Sequence, residues 1–164
     1  MLDEVFQWSV TIAAFCAALV AGVFLTFSDF VMWSLRSTEA RAGVEAMQSI
    51  NRGVLRSVFM ALLLGSAFVS IAIAGIAWLG VDGAAAGWMA AGSAAYLAGV
   101  MAVTVLRNVP MNERLDGYDY RSWAAQFYWP SYCRSWTRWN HVRSGAALVA
   151  AGCYFVGALL LGRA

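Results

Sequence analysis

Lysine is missing altogether, so the 11 basic side chains are all arginine, set against 9 acidic ones. A net charge of +2 gives no basic patch of the kind nucleic acid requires, and no nucleic-acid partner is expected. Arginine without lysine fits a codon-biased genome, and it also suits anion clamping and interfacial snorkelling. Cysteine is sparse: Cys16, Cys133 and Cys153 form no CxxC pattern, which argues against a disulfide framework. Cys16 and Cys153 fall within apolar runs, where a thiol acts as a small hydrophobe. The single histidine, His141, has no second ligand at a recognisable spacing, so no metal site is expected. Gly-rich nucleotide fingerprints, internal repeats and low-complexity tracts are also missing.

Apolar length is what the chain has in abundance. Hydrophobic residues make up 62% and charged residues 12% of the 164, and the mean hydropathy is +0.66. A soluble domain is about half apolar and a quarter charged. A bilayer core takes roughly 20 residues of helix, so the runs at about 5–35, 54–79, 84–106 and 140–161 predict four spans. The expected fold is an all-α integral membrane four-helix bundle. It forms one domain over 1–164, with a long cytoplasmic connection between helices three and four. The opening Met1-Leu2-Asp3-Glu4 is acidic where a secretory signal is basic, so the first run reads as a retained helix.

Near the end of the first run, Thr26, Asp29, Trp33 and Arg36 recur at three- and four-residue steps and share a face. Asp29 is either an anion that orients a partner or accepts a proton, or one half of an interfacial ion pair with Arg36. In the first connection, Thr38-Glu39-Ala40-Arg41 resembles the start of a short amphipathic helix, and Asn51 suits the cap of the second span or an amide that reaches the polar face of the bundle. Ser66, Ser70 and Ala74 on run two, and Ala91, Ala95 and Gly99 on run three, predict a tight hairpin across Val81-Asp82-Gly83. Such small-residue faces could equally receive protein partners. Pro110 is expected to end the third helix, and Pro130 to precede a helix starting at Ser131 and running into the fourth span.

The arginines crowd the two long connections, and the short connection around Asp82 has none. The positive-inside bias then puts both long connections in the cytoplasm and both termini outside, in a bacterial inner membrane. Asp29, Asn51, Asn108, Asn112, Glu113, Asn140, His141 and Arg143 consequently fall at one end of the bundle. Residues 107–143 are the polar and aromatic segment between apolar runs and hold the expected site. Trp136, Asn140 and Arg143, at i, i+4 and i+7, offer an indole, an amide and a cationic fork along one stripe. That set can hold a planar, oxygen-bearing aromatic. Asn108 and Asn112 can serve a ligand or tie the carbonyls of a helix end. His141 can shuttle a proton or be structural. Tyr118, Tyr120, Trp123, Phe127, Tyr128, Trp129 and Tyr132 suit an interfacial belt more than a pocket.

The stretches GVFLTFSDFVM at 22–32, AMQSINR at 46–52, NVPMNERL at 108–115 and WTRWNHVRS at 136–144 together resemble the anthrone oxygenase-like family. Its members are small four-helix membrane proteins, and many carry only the description of a domain of unknown function. The resemblance implies an oxygenase needing neither metal nor flavin, so no cofactor, which deprotonates a phenolic aromatic and lets the anion react with O2. At the matching positions, Asp29 or His141 would be the base. Asn51, Asn108, Asn112, Trp136 and Asn140 would bind substrate, and Arg143 would stabilise charge. The competing readings are a non-enzymatic membrane subunit that binds proteins or pigment, and a lipid or quinone binder.

Overall fold

The computed structural model describes residues 2–162, with side chains from Glu4 onward. Met1, the side chains of Leu2 and Asp3 in the acidic opening, and Arg163 and Ala164 lie outside the described residues. The described chain is helical throughout, with no strand. Helix α1 comprises Leu2–Thr26, a π-helical turn Phe27–Val31, and Met32–Ser37. Helix α2 is Ala40–Val54 and α3 is Val58–Gly80. Helix α4 starts as Ala84–Ala94, passes through π-helical Ala95–Ala102 and Thr104–Asn108, and finishes as Val109–Asp116. Helix α5 is Trp123–Leu161. Four of these stretches, Glu4–Ser37, Val58–Gly80, Ala84–Asp116 and Trp123–Leu161, are long and apolar enough to cross a membrane.

The prolines behave otherwise than the sequence suggests. Pro130 lies inside α5, which starts at Trp123 with the Ser122 hydroxyl accepting from the Ala125 amide at 3.2 Å. Proline inside a helix costs about 3 kcal/mol. Here the cap and the buried row Ala125, Trp129, Tyr132, Cys133 and Trp136 outweigh that cost. Pro110 does not end α4 either. The wide π-turn Thr104–Asn108 just before it gives the ring room where an α-turn would force it against the carbonyl four residues back. Asn51 is no cap, because it lies within α2. Ser57 caps α3 instead, accepting from the Met60 amide at 3.2 Å. Glu39 takes the N-cap position of α2 without a side-chain bond, and the Thr38 hydroxyl turns back to the Leu35 carbonyl.

The Val81–Gly83 turn is allowed by a positive φ of 75° at Gly83, which glycine adopts without penalty. The spans then alternate in direction, and the two longer connections meet at one end of the bundle. Gln48 of α2 locks them together by donating to the carbonyls of Leu115 and Tyr118, each at 2.8 Å, where the C-terminal carbonyls of α4 need partners. The main core is built of small residues: Ala13, Ala17 and Ala21 of α1, with Ala147, Ala150 and Ala158 of α5, let the backbones approach. On α4 the close approach falls on Gly92 and Gly99 against α5, while Ala91, expected in the hairpin stripe, is exposed. A second core beneath α2 joins Val44, Met47, Leu115, Trp129, Tyr132 and Trp136. Trp129 and Tyr132 are therefore interior groups, not belt residues.

Candidate functional site

Between the two cores lies a cavity of about 390 Å³, within the roughly 300–1,000 Å³ range of small-molecule sites. Its apolar walls come from Phe24 and Phe27 of α1, Met47 and Ile50 of α2, and Phe59, Met60 and Leu63 of α3. Its polar side comes largely from α4. Thr104, Asn108, Asn112 and Asp116 follow at four-residue steps and all line the cavity, a rail about 18 Å long at 1.5 Å per residue. The cavity is thus apolar on most sides and polar along one edge.

Arg143 marks the inner end. It is 5% exposed, its guanidinium lies 4.2 Å over the Phe24 ring and 5.3 Å over Trp136, and it has no carboxylate partner among the described residues. Nη1 donates to the Thr104 hydroxyl at 3.3 Å and Nη2 donates to the Asn140 side-chain oxygen, while Nε–H has no acceptor. Asn140 is fully buried, and its amide nitrogen donates to the Phe24 carbonyl and the Ser28 hydroxyl, both at 2.6 Å. It stands behind the wall and holds Arg143 in place. Asn112 accepts from the Tyr132 hydroxyl and the Trp136 indole N–H, each at 2.9 Å, which fixes the aromatic wall. Tyr132 and Trp136 stack at 6.4 Å between centroids.

Asn108 donates to the Trp136 carbonyl at 3.3 Å, but its buried oxygen has no donor, and the Asn51 amide nitrogen likewise has no acceptor. Three buried polar atoms of the cavity wall are therefore unsatisfied: the Asn51 and Arg143 donors and the Asn108 acceptor. Each such group costs about 1–3 kcal/mol when left alone, so each gains by finding a partner. At the mouth, Arg52 and Asp116 form an ion pair and both line the cavity.

Of the residues singled out from sequence, Asn51, Asn108, Asn112, Trp136 and Arg143 line the cavity, and Asn140 supports it. Asp29 and His141 are exposed and do not line it. Thr26, Asp29, Trp33 and Arg36 do share a face, but it is the outward one. Glu113, expected at this end of the bundle, lines the cavity as well, whereas Thr104, Ser28 and Asp116 were not singled out. The four-residue spacing of Thr104, Asn108, Asn112 and Asp116 was the available signal for two of them. No group of three His, Cys, Asp or Glu side chains able to hold a metal ion occurs among the described residues.

Four helices of membrane-spanning dimensions around a one-edged polar cavity define a helical bundle of membrane type with a small-molecule-sized chamber. The family model for anthrone oxygenase matches residues 46–153, from within α2 to within α5, and the chain belongs to that family. No curated protein and no solved structure matched the chain.

Proposed function

We propose that the cavity binds a lipophilic phenolic aromatic and promotes its oxidation by O2, converting a ring CH2 that lies across the central ring from a diaryl ketone into a second carbonyl. The observation that carries this reading is the buried, carboxylate-free Arg143 beside the two other unsatisfied polar atoms of the wall. A fixed cation in an apolar, water-poor site favours an anion that forms there. The balanced reaction is CH2 plus O2 giving C=O plus H2O. Loss of the first C–H proton leaves an anion whose charge spreads through the ring to the ketone oxygen. Arg143 and the Asn51 amide stabilise that oxygen, and Asn108 accepts from a phenolic hydroxyl. The electron-rich carbon reduces O2 and bonds to it, giving a hydroperoxide. Loss of the second C–H proton and of hydroxide then leaves the quinone and water. The apolar walls fit the faces of a planar ring system, and the rail of α4 fits oxygens along one of its edges.

The membrane supplies the lipophilic substrate, and O2 dissolves readily in the same apolar medium. The arginine distribution supports a bacterial inner-membrane location with the cavity end in the cytoplasm and both termini outside. The protein in lipid nanodiscs, supplied with an anthrone and air, is expected to form quinone faster than protein-free nanodiscs. Equal rates, with tight binding of the anthrone, would favour the quinone- or lipid-binding reading instead.

A further inference from the structure

The reaction needs a base, and neither exposed candidate reaches the cavity. Among the described residues the carboxylates lining it are Glu113 and Asp116. Asp116 is engaged by Arg52. Glu113 is exposed to solvent as well as lining the cavity, and among the described residues its side chain makes no hydrogen bond or ion pair. Its neighbour Arg114 is occupied elsewhere, donating to the Tyr118 hydroxyl at 3.3 Å and lying 4.3 Å over the Tyr128 ring. Val109 and Glu113, four residues apart, form a second row on α4 beside Asn108 and Asn112, and both rows line the cavity. A carboxylate on that row stands next to the edge where the substrate's oxygens would sit, at the mouth end, while Arg143 occupies the inner end.

We infer that Glu113 is the proton acceptor for the acidic ring C–H of the substrate, and this rests on the oxidation proposed above. The Glu113 carboxylate takes the proton and the C–H electron pair passes into the ring, with the charge reaching the ketone oxygen. The same carboxyl returns its proton to the peroxide oxygen formed with O2. It then takes the second C–H proton as hydroxide leaves and hands it on to complete the water. The other charged groups lining the cavity are Arg52 of α2, Asp116 of α4 and, deeper, Arg143 of α5, and Arg52 is already paired with Asp116.

Proton abstraction is read separately from oxygen chemistry by excluding O2 and following exchange of the ring CH2 into D2O by NMR. Wild-type protein is expected to accelerate exchange. Glu113→Gln is expected to lower that acceleration about 100-fold or more, the usual scale of a positioned base. Glu113→Asp, which keeps a carboxylate on a shorter arm, should recover part of it. Substrate binding, followed by quenching of tryptophan fluorescence, should stay intact in both variants. Asp29→Asn and His141→Gln should exchange as wild type does. Wild-type exchange rates in Glu113→Gln, or a loss in Asp29→Asn or His141→Gln instead, would overturn the assignment while leaving the oxidation standing. A wild type that neither exchanges nor oxidises would remove both.

Discussion

At the scale of single residues, Arg143 separates stability from function. A buried guanidinium with no carboxylate beside it is a burden to the fold, and an apolar side chain of similar length removes that burden. Arg143→Met is therefore expected to leave thermal unfolding in detergent unchanged or raised, by up to about 1–4 kcal/mol. The same change should weaken binding of a phenolate-bearing anthrone about 10- to 150-fold, since hydrogen bonds to charge contribute about 1.5–3 kcal/mol. A large loss of stability with unchanged binding would mark Arg143 as a structural tie. The asparagines divide in the same way. The Asn112 oxygen is taken by two aromatic side chains and Asn140 spends its groups on neighbouring side chains and backbone, whereas Asn51 and Asn108 each keep one buried polar atom without a partner. Residue type alone could not make that division, because all four are asparagines.

At the scale of elements, the π-turns of α1 and α4 decide which side chains reach the cavity. A π-turn accommodates an extra residue, so a face followed at 3.6 residues per turn shifts beyond it. On α1 the inward row runs Phe24, Ser28, Met32 through the wide turn, and Asp29 is left outside. The stripe on α5 suffers no such break, and there Trp136, Asn140 and Arg143 were legible from their spacing and are all buried. The four spans were legible as well, because apolar length needs no phase. Ser28 was silent, as a single hydroxyl in an apolar run looks like packing. Helix α4 is held to α5 where a Cβ on Gly99 would collide with that of Ala146. Gly99→Leu is expected to destabilise the bundle by about 1–3 kcal/mol or more through overpacking. Gly145→Leu, where no atom lies within 4 Å of an added Cβ, should be tolerated. Thermal unfolding of both variants checks the contrast, and equal stability would show that α4 and α5 adjust freely.

At the scale of the whole molecule, two apolar cores meet around a chamber, and the connecting segments frame its mouth. Helix α2, tied by Gln48 and by the Arg52–Asp116 pair, makes that frame a fixed rim rather than a loose loop. If the arginine-rich end lies in the cytoplasm, a C-terminal alkaline phosphatase fusion should be active and a C-terminal green fluorescent protein dark. The reverse pattern would invert the orientation. The central claim is that this chamber uses the Arg143 charge to drive reaction of a phenolic aromatic with O2. Its most direct test is oxygen consumption by protein in nanodiscs given an anthrone, with quinone quantified in the same sample. The expected result is one O2 consumed per quinone, faster than without protein, with the acceleration lost in Arg143→Met and kept in Asp29→Asn. Consumption equal to the protein-free rate, or unchanged in Arg143→Met, would contradict it.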